Sequence, residues 1–200
     1  VPAWSPVEVP RWTPLTMLEL QRHRQARVRA RMRRRIEDAM TAHDYTQQVA
    51  TRRLITTADA DSDGTVPGAA VLGWIDDAAC ERGADWTGGR VVTSYLTAVS
   101  FHRPVRVGDM VDVSARILHT GRRSVHLGVL VSATDPVTGR RQTVARAALA
   151  VVSPDATGAA RPVPPWVPRG DADHRLDEHA RHLIALRAFI EPFPVATTIS

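Results

Sequence analysis

The chain has 200 residues, 44% of them hydrophobic and 24% charged, an ordinary globular composition with room for one domain of average to large size. Its single cysteine, Cys80, excludes an intrachain disulfide framework and a multi-cysteine zinc site, and it agrees with a cytoplasmic setting. The formal net charge of +5 comes from 26 arginines and no lysine, but residues 1–53 hold 11 of those arginines against 5 acids, so the charge belongs to an N-terminal arm and not to the core, and nucleic acid is not an expected partner.

In chain order, residues 15–42 contain no Gly or Pro and read as one long helix. Its apolar positions Met17, Leu18, Leu20, Val28, Met32, Ile36 and Met40 make a narrow stripe, and eight arginines lie between 22 and 35. Such a helix binds RNA, a membrane or a cofactor phosphate, or else it is a solvated helix lying across the domain or an oligomeric neighbour. The weight goes to the solvated helix, because charge runs are most often plain solvated faces. Residues 51–57 read as a short strand, followed by the turn-rich DADSDG. Residues 68–83 are apolar on nearly every side, which predicts a helix buried almost all round.

Four strands follow at 90–101, 110–119, 124–133 and 142–152. Val125, Leu127, Val129 and Val131 alternate with His126, Gly128 and Leu130, and the short connections argue for antiparallel neighbours. A Pro- and Ala-rich tail at 153–170 is expected over the surface, and a last helix at 171–189 has Leu176, Leu183, Leu186 and Ile190 at helical spacing. Prolines at both ends, including Pro192 and Pro194, predict irregular arms. Three parts are therefore expected: an Arg-rich helical arm at 1–50, an α+β domain at 51–155, and a tail with a helix at 156–200. No apolar run approaches the ~18 residues of a membrane span. The opening VPAWSPVEVP lacks a signal-peptide pattern, so neither a membrane nor export is expected.

Asp59, Asp61, Asp63 and Gly64 imitate the opening of a calcium loop, but Ala70 stands where the twelfth-position carboxylate is required. His179 and His182, with His174 nearby, offer a possible zinc face, yet such a row normally faces water; no metal site is expected. The segment with chemical character is 61–77. Gly68 lets a ligand approach the backbone, and a helix starting there offers free N–H groups and the positive end of its dipole. A carboxylate inside an apolar helix is costly to bury, so Asp76 or Asp77 is either paired or functional. Gly68 and Ala69 N–H groups facing an oxyanion, with Asp76 or Asp77 activating water, suffice for ester or thioester hydrolysis.

The stretches DSDGTVPGAAVLGWIDDAA (61–79) and GRVVTSYLTAVSFHRPVRVGDMVDVSARILHTGRRSVHLGVLV (89–131) resemble the hot-dog-fold acyl-CoA thioesterases, in particular the bacterial broad-range acyl-CoA hydrolases. The likeness spans about 51–155. It implies an α+β fold with an antiparallel sheet wrapped around a long helix, with subunits pairing as dimers that can assemble further to a hexamer, a trimer of dimers. It further implies that Asp76 is the catalytic carboxylate, as general base or nucleophile. By the same likeness Gly68 and Ala69 polarise the thioester carbonyl, Asp61 replaces an Asn that positions water or substrate from the partner subunit, and Arg122, Arg123 and Ser124 lie near the CoA phosphates. No cofactor beyond the CoA of the substrate is implied. Asp61 for Asn removes an amide donor, and Ala69 for Gly, after Pro67, narrows the approach to the helix; both point to an altered substrate, slower turnover or a retired site. The expected activity is hydrolysis of an acyl-CoA to CoA and a carboxylic acid. The alternatives are a hot-dog enzyme acting on a carrier-protein-bound or unusual acyl thioester in a biosynthetic pathway, or a non-catalytic protein binding acyl-CoA, or RNA or an acidic partner through the arginine helix.

Overall fold

A computed structural model describes residues 8–45 and 51–188. The N-terminal prolines up to residue 7, together with Ile190, Pro192 and Pro194, lie outside the described residues. The first helix, α1, spans Met17–Thr41 and opens on a reciprocal cap. Thr16 Oγ1 accepts the Glu19 N–H at 3.2 Å while Glu19 Oε2 accepts the Thr16 N–H at 3.0 Å, which satisfies two donors that a helix start leaves free. Strand β1 is Thr51–Leu54, shorter than expected. The chain leaves it at Thr57–Asp59 in a 3-10 turn held by Asp59 Oδ2, which accepts the Thr56 N–H at 2.9 Å.

Helix α2 spans Gly68–Thr87, four residues beyond its expected end. The expected stop, Gly83, is instead an interior contact: a Cβ there would lie 2.6 Å from Val151 Cγ2. The helix stops at Gly88, whose φ of 69° is the left-handed conformation that glycine adopts without strain. Strands β2 (Val92–Phe101), β3 (Met110–Thr120), β4 (Val125–Thr134) and β5 (Arg141–Val152) follow, and helix α3 is Asp171–Ala188. The sheet order is β1-β3-β4-β5-β2 with every neighbouring pair antiparallel.

Alternation along β4 sorts the two faces. Val125, Leu127, Val129 and Val131 join Val71, Ile75, Ala78 and Ala79 of α2 in one core. Leu130 turns the other way, with Leu118 of β3 and Ala148 of β5, onto Ile36 and Met40 of α1 and Leu176, Ala180, Leu183 and Leu186 of α3. The sheet is thus covered on both faces, by α2 on one and by α1 with α3 on the other. The α2 side has the expected hot-dog arrangement; the second apolar layer was not anticipated.

Helix α2 is not buried all round. Val71, Ile75, Ala78, Ala79 and Gly83 are buried, whereas Leu72, Asp76 and Asp77 are exposed. One sheet covers only one side of a helix, and the composition of α2 exceeds what that side needs. The tail at 153–170 is fastened to the surface. Val163 N–H donates to Arg122 O at 3.1 Å, Trp166 N–H to Thr120 Oγ1 at 2.8 Å and Trp86 Nε1–H to Pro164 O at 2.9 Å. Among the described residues no helix is long and apolar enough to cross a membrane.

Candidate active site

Pro67 positions the start of α2. Its carbonyl accepts the Ala70 N–H at 3.0 Å and the Val71 N–H at 3.4 Å, which leaves the Gly68 and Ala69 N–H groups without an acceptor among the described residues. Both residues are exposed, so two donors and the positive end of a 20-residue helix face outward together.

Two turns along, Asp76 stands on the exposed side of α2, where Thr93 Oγ1 donates to its Oδ1 at 2.5 Å. Cys80, one turn further on, lies with Sγ 3.7 Å from the same Thr93 oxygen. Burial raises the Cys80 thiol above its ordinary range, so the S–H is retained and donates to the threonine that in turn donates to the carboxylate. Asp76 is not buried, as the apolar helix suggested, but is an exposed carboxylate held by a donor from the neighbouring strand. No side-chain hydrogen bond or ion pair holds the adjacent Asp77 among the described residues. Thr93 was missed as a site residue; the R-V-V-T string carried it, but no spacing rule links a strand hydroxyl to a helix acid.

Asp61 is exposed in the turn before α2. Its backbone N–H donates to Thr65 O at 2.8 Å and its carbonyl accepts the Gly64 N–H at 2.9 Å. The neighbouring Asp63 is committed to Thr65, accepting its N–H at 2.9 Å and its hydroxyl at 2.7 Å, which holds the Asp63 carboxyl below its usual range. The carboxylates of this turn therefore act as local turn ligands, apart from Asp61.

Arg122 and Arg123 are exposed at the tip of the β3–β4 hairpin, closed by the Gly121 N–H donating to Ser124 O at 2.9 Å. Ser124 Oγ lies 3.1 Å from His126 Nε2. His126 sits on β4 between two residues of the α2-facing row, so this pair occupies the opposite face of the sheet from Asp76. Arg122 and Arg123 are thus available to a ligand, while Ser124 is engaged elsewhere.

The histidines of α3 differ from expectation in a specific way. His179 does not face water: it is 4% exposed, its Nε2 lies 2.6 Å from Tyr45 Oη, and its ring stacks on His43 at 4.0 Å. The apolar residues around it place this position inward, so it serves the second core.

Residues 63–139 match the Thioesterase superfamily. The chain is 31% identical over 131 residues to the acyl-CoA thioester hydrolase YciA of Salmonella typhimurium, covering 62% of this chain and 98% of that protein. It is also 31% identical over 139 residues to the cytosolic acyl coenzyme A thioester hydrolase of Mus musculus, covering 68% of this chain and 36% of that longer protein. Among solved structures, a hexameric acyl-CoA thioesterase described in its apo form superposes with a TM-score of 0.66 at 30% identity, covering 69% of this chain and 88% of that one.

Proposed function

The chain belongs to the acyl-CoA thioester hydrolases of the thioesterase superfamily, and we propose that it hydrolyses its acyl-CoA substrate with Asp76 as general base and the Gly68 and Ala69 N–H groups as oxyanion donors. The observation that carries this reading is the Thr93 hydroxyl donated to an exposed Asp76. That bond fixes one carboxylate oxygen and leaves the other toward solvent, where a water can give up its proton.

Eight residues separate Gly68 from Asp76, a rise of about 12 Å along one helix. A water activated at Asp76 cannot reach a carbonyl held at the start of the same helix. The two parts of the site therefore come from different protomers, with Asp76 working beside Gly68 and Ala69 of the partner subunit. The edge strand β2 leaves Leu96 42% and Phe101 47% exposed, next to the open side of α2. An edge with apolar side chains is suited to pairing with a second copy. The assembly is an oligomer built on this dimer, further arranged as a trimer of dimers.

In the reaction, water loses a proton to Asp76 as its oxygen bonds to the thioester carbon, and the backbone donors take the charge that develops on the carbonyl oxygen. The carbon–sulfur bond then breaks. CoA leaves as the thiol, with the proton returned from Asp76, and the acyl group leaves as a carboxylic acid. Arg122 and Arg123 offer planar forks to the CoA phosphates, and no cofactor beyond the CoA of the substrate is required. The setting that fits a CoA ester is the cytoplasm.

The test is free-thiol release from short, medium, long, branched and aromatic acyl-CoAs by the wild type and Asp76→Asn. Loss of at least about 100-fold in turnover by a folded variant is expected. Retained turnover would remove Asp76 from the role.

A further inference from the structure

The arginine-rich helix takes no part in this site. Its C-terminal turns are anchored through Met32, Ile36, Ala39 and Met40, whereas no residue from 8 to 31 is buried. At 100° per residue, His23, Arg27, Arg31 and Arg34 fall within a sector about 80° wide, opposite Ile36, with Arg24 on its flank and a length of about 17 Å. Arg24, Arg27, Arg31 and Arg34 form no ion pair among the described residues. Like charges at i,i+3 and i,i+4 weaken the helix that carries them, so the stripe is stabilised by a polyanion. At its head stands Trp12, 55% exposed, with its ring 5.8 Å from that of His23.

We infer that the outer face of α1, from His23 along Arg24, Arg27, Arg31 and Arg34, together with Trp12 of the segment that precedes the helix, binds single-stranded nucleic acid. Three observations select this partner. The run of exposed acids on a second copy, Asp76, Asp77, Glu81 and Asp85, lies along the open side of α2, the face that the proposed dimer encloses, and the arms of a symmetric oligomer repel one another. A bilayer needs an apolar helix face, but Met17, Leu20 and Val28 share their side with Arg24, Arg31 and Arg35. An acidic protein leaves the exposed Trp12 ring unused, whereas unstacked bases lie on such rings while arginine forks hold the phosphates. The sequence weighs this helix as a solvated helix lying across the domain or an oligomeric neighbour; within the chain only its last turns, through Met32, Ile36, Ala39 and Met40, lie on the domain.

The experiment is fluorescence anisotropy of a fluorescein-labelled 20-nucleotide oligouridylate with the full chain at 50 and 200 mM salt. Four phosphate contacts predict an affinity roughly 50-fold weaker at the higher salt. Replacing Arg24, Arg27, Arg31 and Arg34 together by Gln abolishes binding while acyl-CoA hydrolysis stays at the wild-type rate, which reports an intact fold. Trp12→Ala weakens binding roughly fivefold or more without changing the salt slope; it decides the matter should the quadruple variant fail to fold. No anisotropy change at 50 mM, or equal binding by the Gln variant, overturns the assignment. So does preferential binding of phosphatidylserine vesicles or polyglutamate through the same arginines.

Discussion

Thr93 on β2 and Asp76 on α2, 17 residues apart, meet through a 2.5 Å hydrogen bond in which the hydroxyl donates to the carboxylate. A hydrogen bond to a charged group is worth about 1.5–3 kcal/mol, so Thr93→Val is expected to lower kcat about 10- to 100-fold with the fold retained. Thr93→Ser keeps the donor and is expected to recover most of the rate. Steady-state kinetics on one acyl-CoA across wild type, Val and Ser variants decides it; equal rates for Val and Ser would show that the hydroxyl does not position Asp76.

Helix α2 lies close enough to β5 that Gly83 has no room for a methyl group, with Val151 Cγ2 only 2.6 Å from a Cβ there and Val91 Cγ2 at 3.3 Å. Gly83→Ala gains helix propensity but overfills the contact, and a net loss of about 1–2 kcal/mol is expected. Urea unfolding measures it directly, and an unchanged or raised midpoint would mean that the helix shifts without cost.

Two histidines are buried neutral under the outer helices. Desolvation lowers His126 to about 4 and His179 to about 3, both below the ordinary value of 6.5. The unfolded chain therefore binds protons at these sites before the folded one does. The stability they leave intact above pH 6.5 is lost as pH falls from 6.5 toward 4, on the order of 2 kcal/mol for each. His179→Gln keeps a partner for the Tyr45 hydroxyl without a titrating ring. Its unfolding midpoint is expected to fall less than that of the wild type between pH 7.5 and pH 4.5, and a parallel fall in both proteins would assign the acid sensitivity to other groups.

Asp109 closes the turn before β3. It is 7% exposed, pairs with the Arg103 guanidinium and accepts the Arg106 N–H at 3.0 Å. Asp109→Ala leaves Arg103 half-buried without its carboxylate and removes the acceptor of a turn N–H. A loss of about 3 kcal/mol is expected by thermal or urea unfolding. A loss below about 1 kcal/mol would show that Gln142, which accepts from Arg103 at 2.6 Å, suffices alone.

Tyr45 lies flat against the backbone at Gly128, where a Cβ would come within 2.7 Å of its ring. Gly128→Ala is expected to displace Tyr45 from His179 and loosen the layer formed by α1 and α3, leaving the α2 core in place. Hydrogen exchange should quicken in α1 and α3 and stay slow in β4 and β5; uniform quickening would mean that the two layers unfold as one.

The amino-acid order by itself determined the antiparallel run of strands, because β-branched alternation with short turns has few other solutions. It also determined the start of α2, because Pro67 followed by Gly68 permits a helix only from that point. The free Gly68 and Ala69 N–H groups were legible for the same local reason, whereas spacing along the helix left Asp76 and Asp77 as alternatives. Tertiary structure alone decided what crosses between elements. It extended α2 past Gly83, since an interior glycine and a terminal one look alike until Val151 is placed against it. It brought Thr93 to Asp76, and it turned His179 inward to Tyr45 across 134 positions. Periodicity records which way a side chain points along its own helix or strand, and it holds no information on which other element stands there.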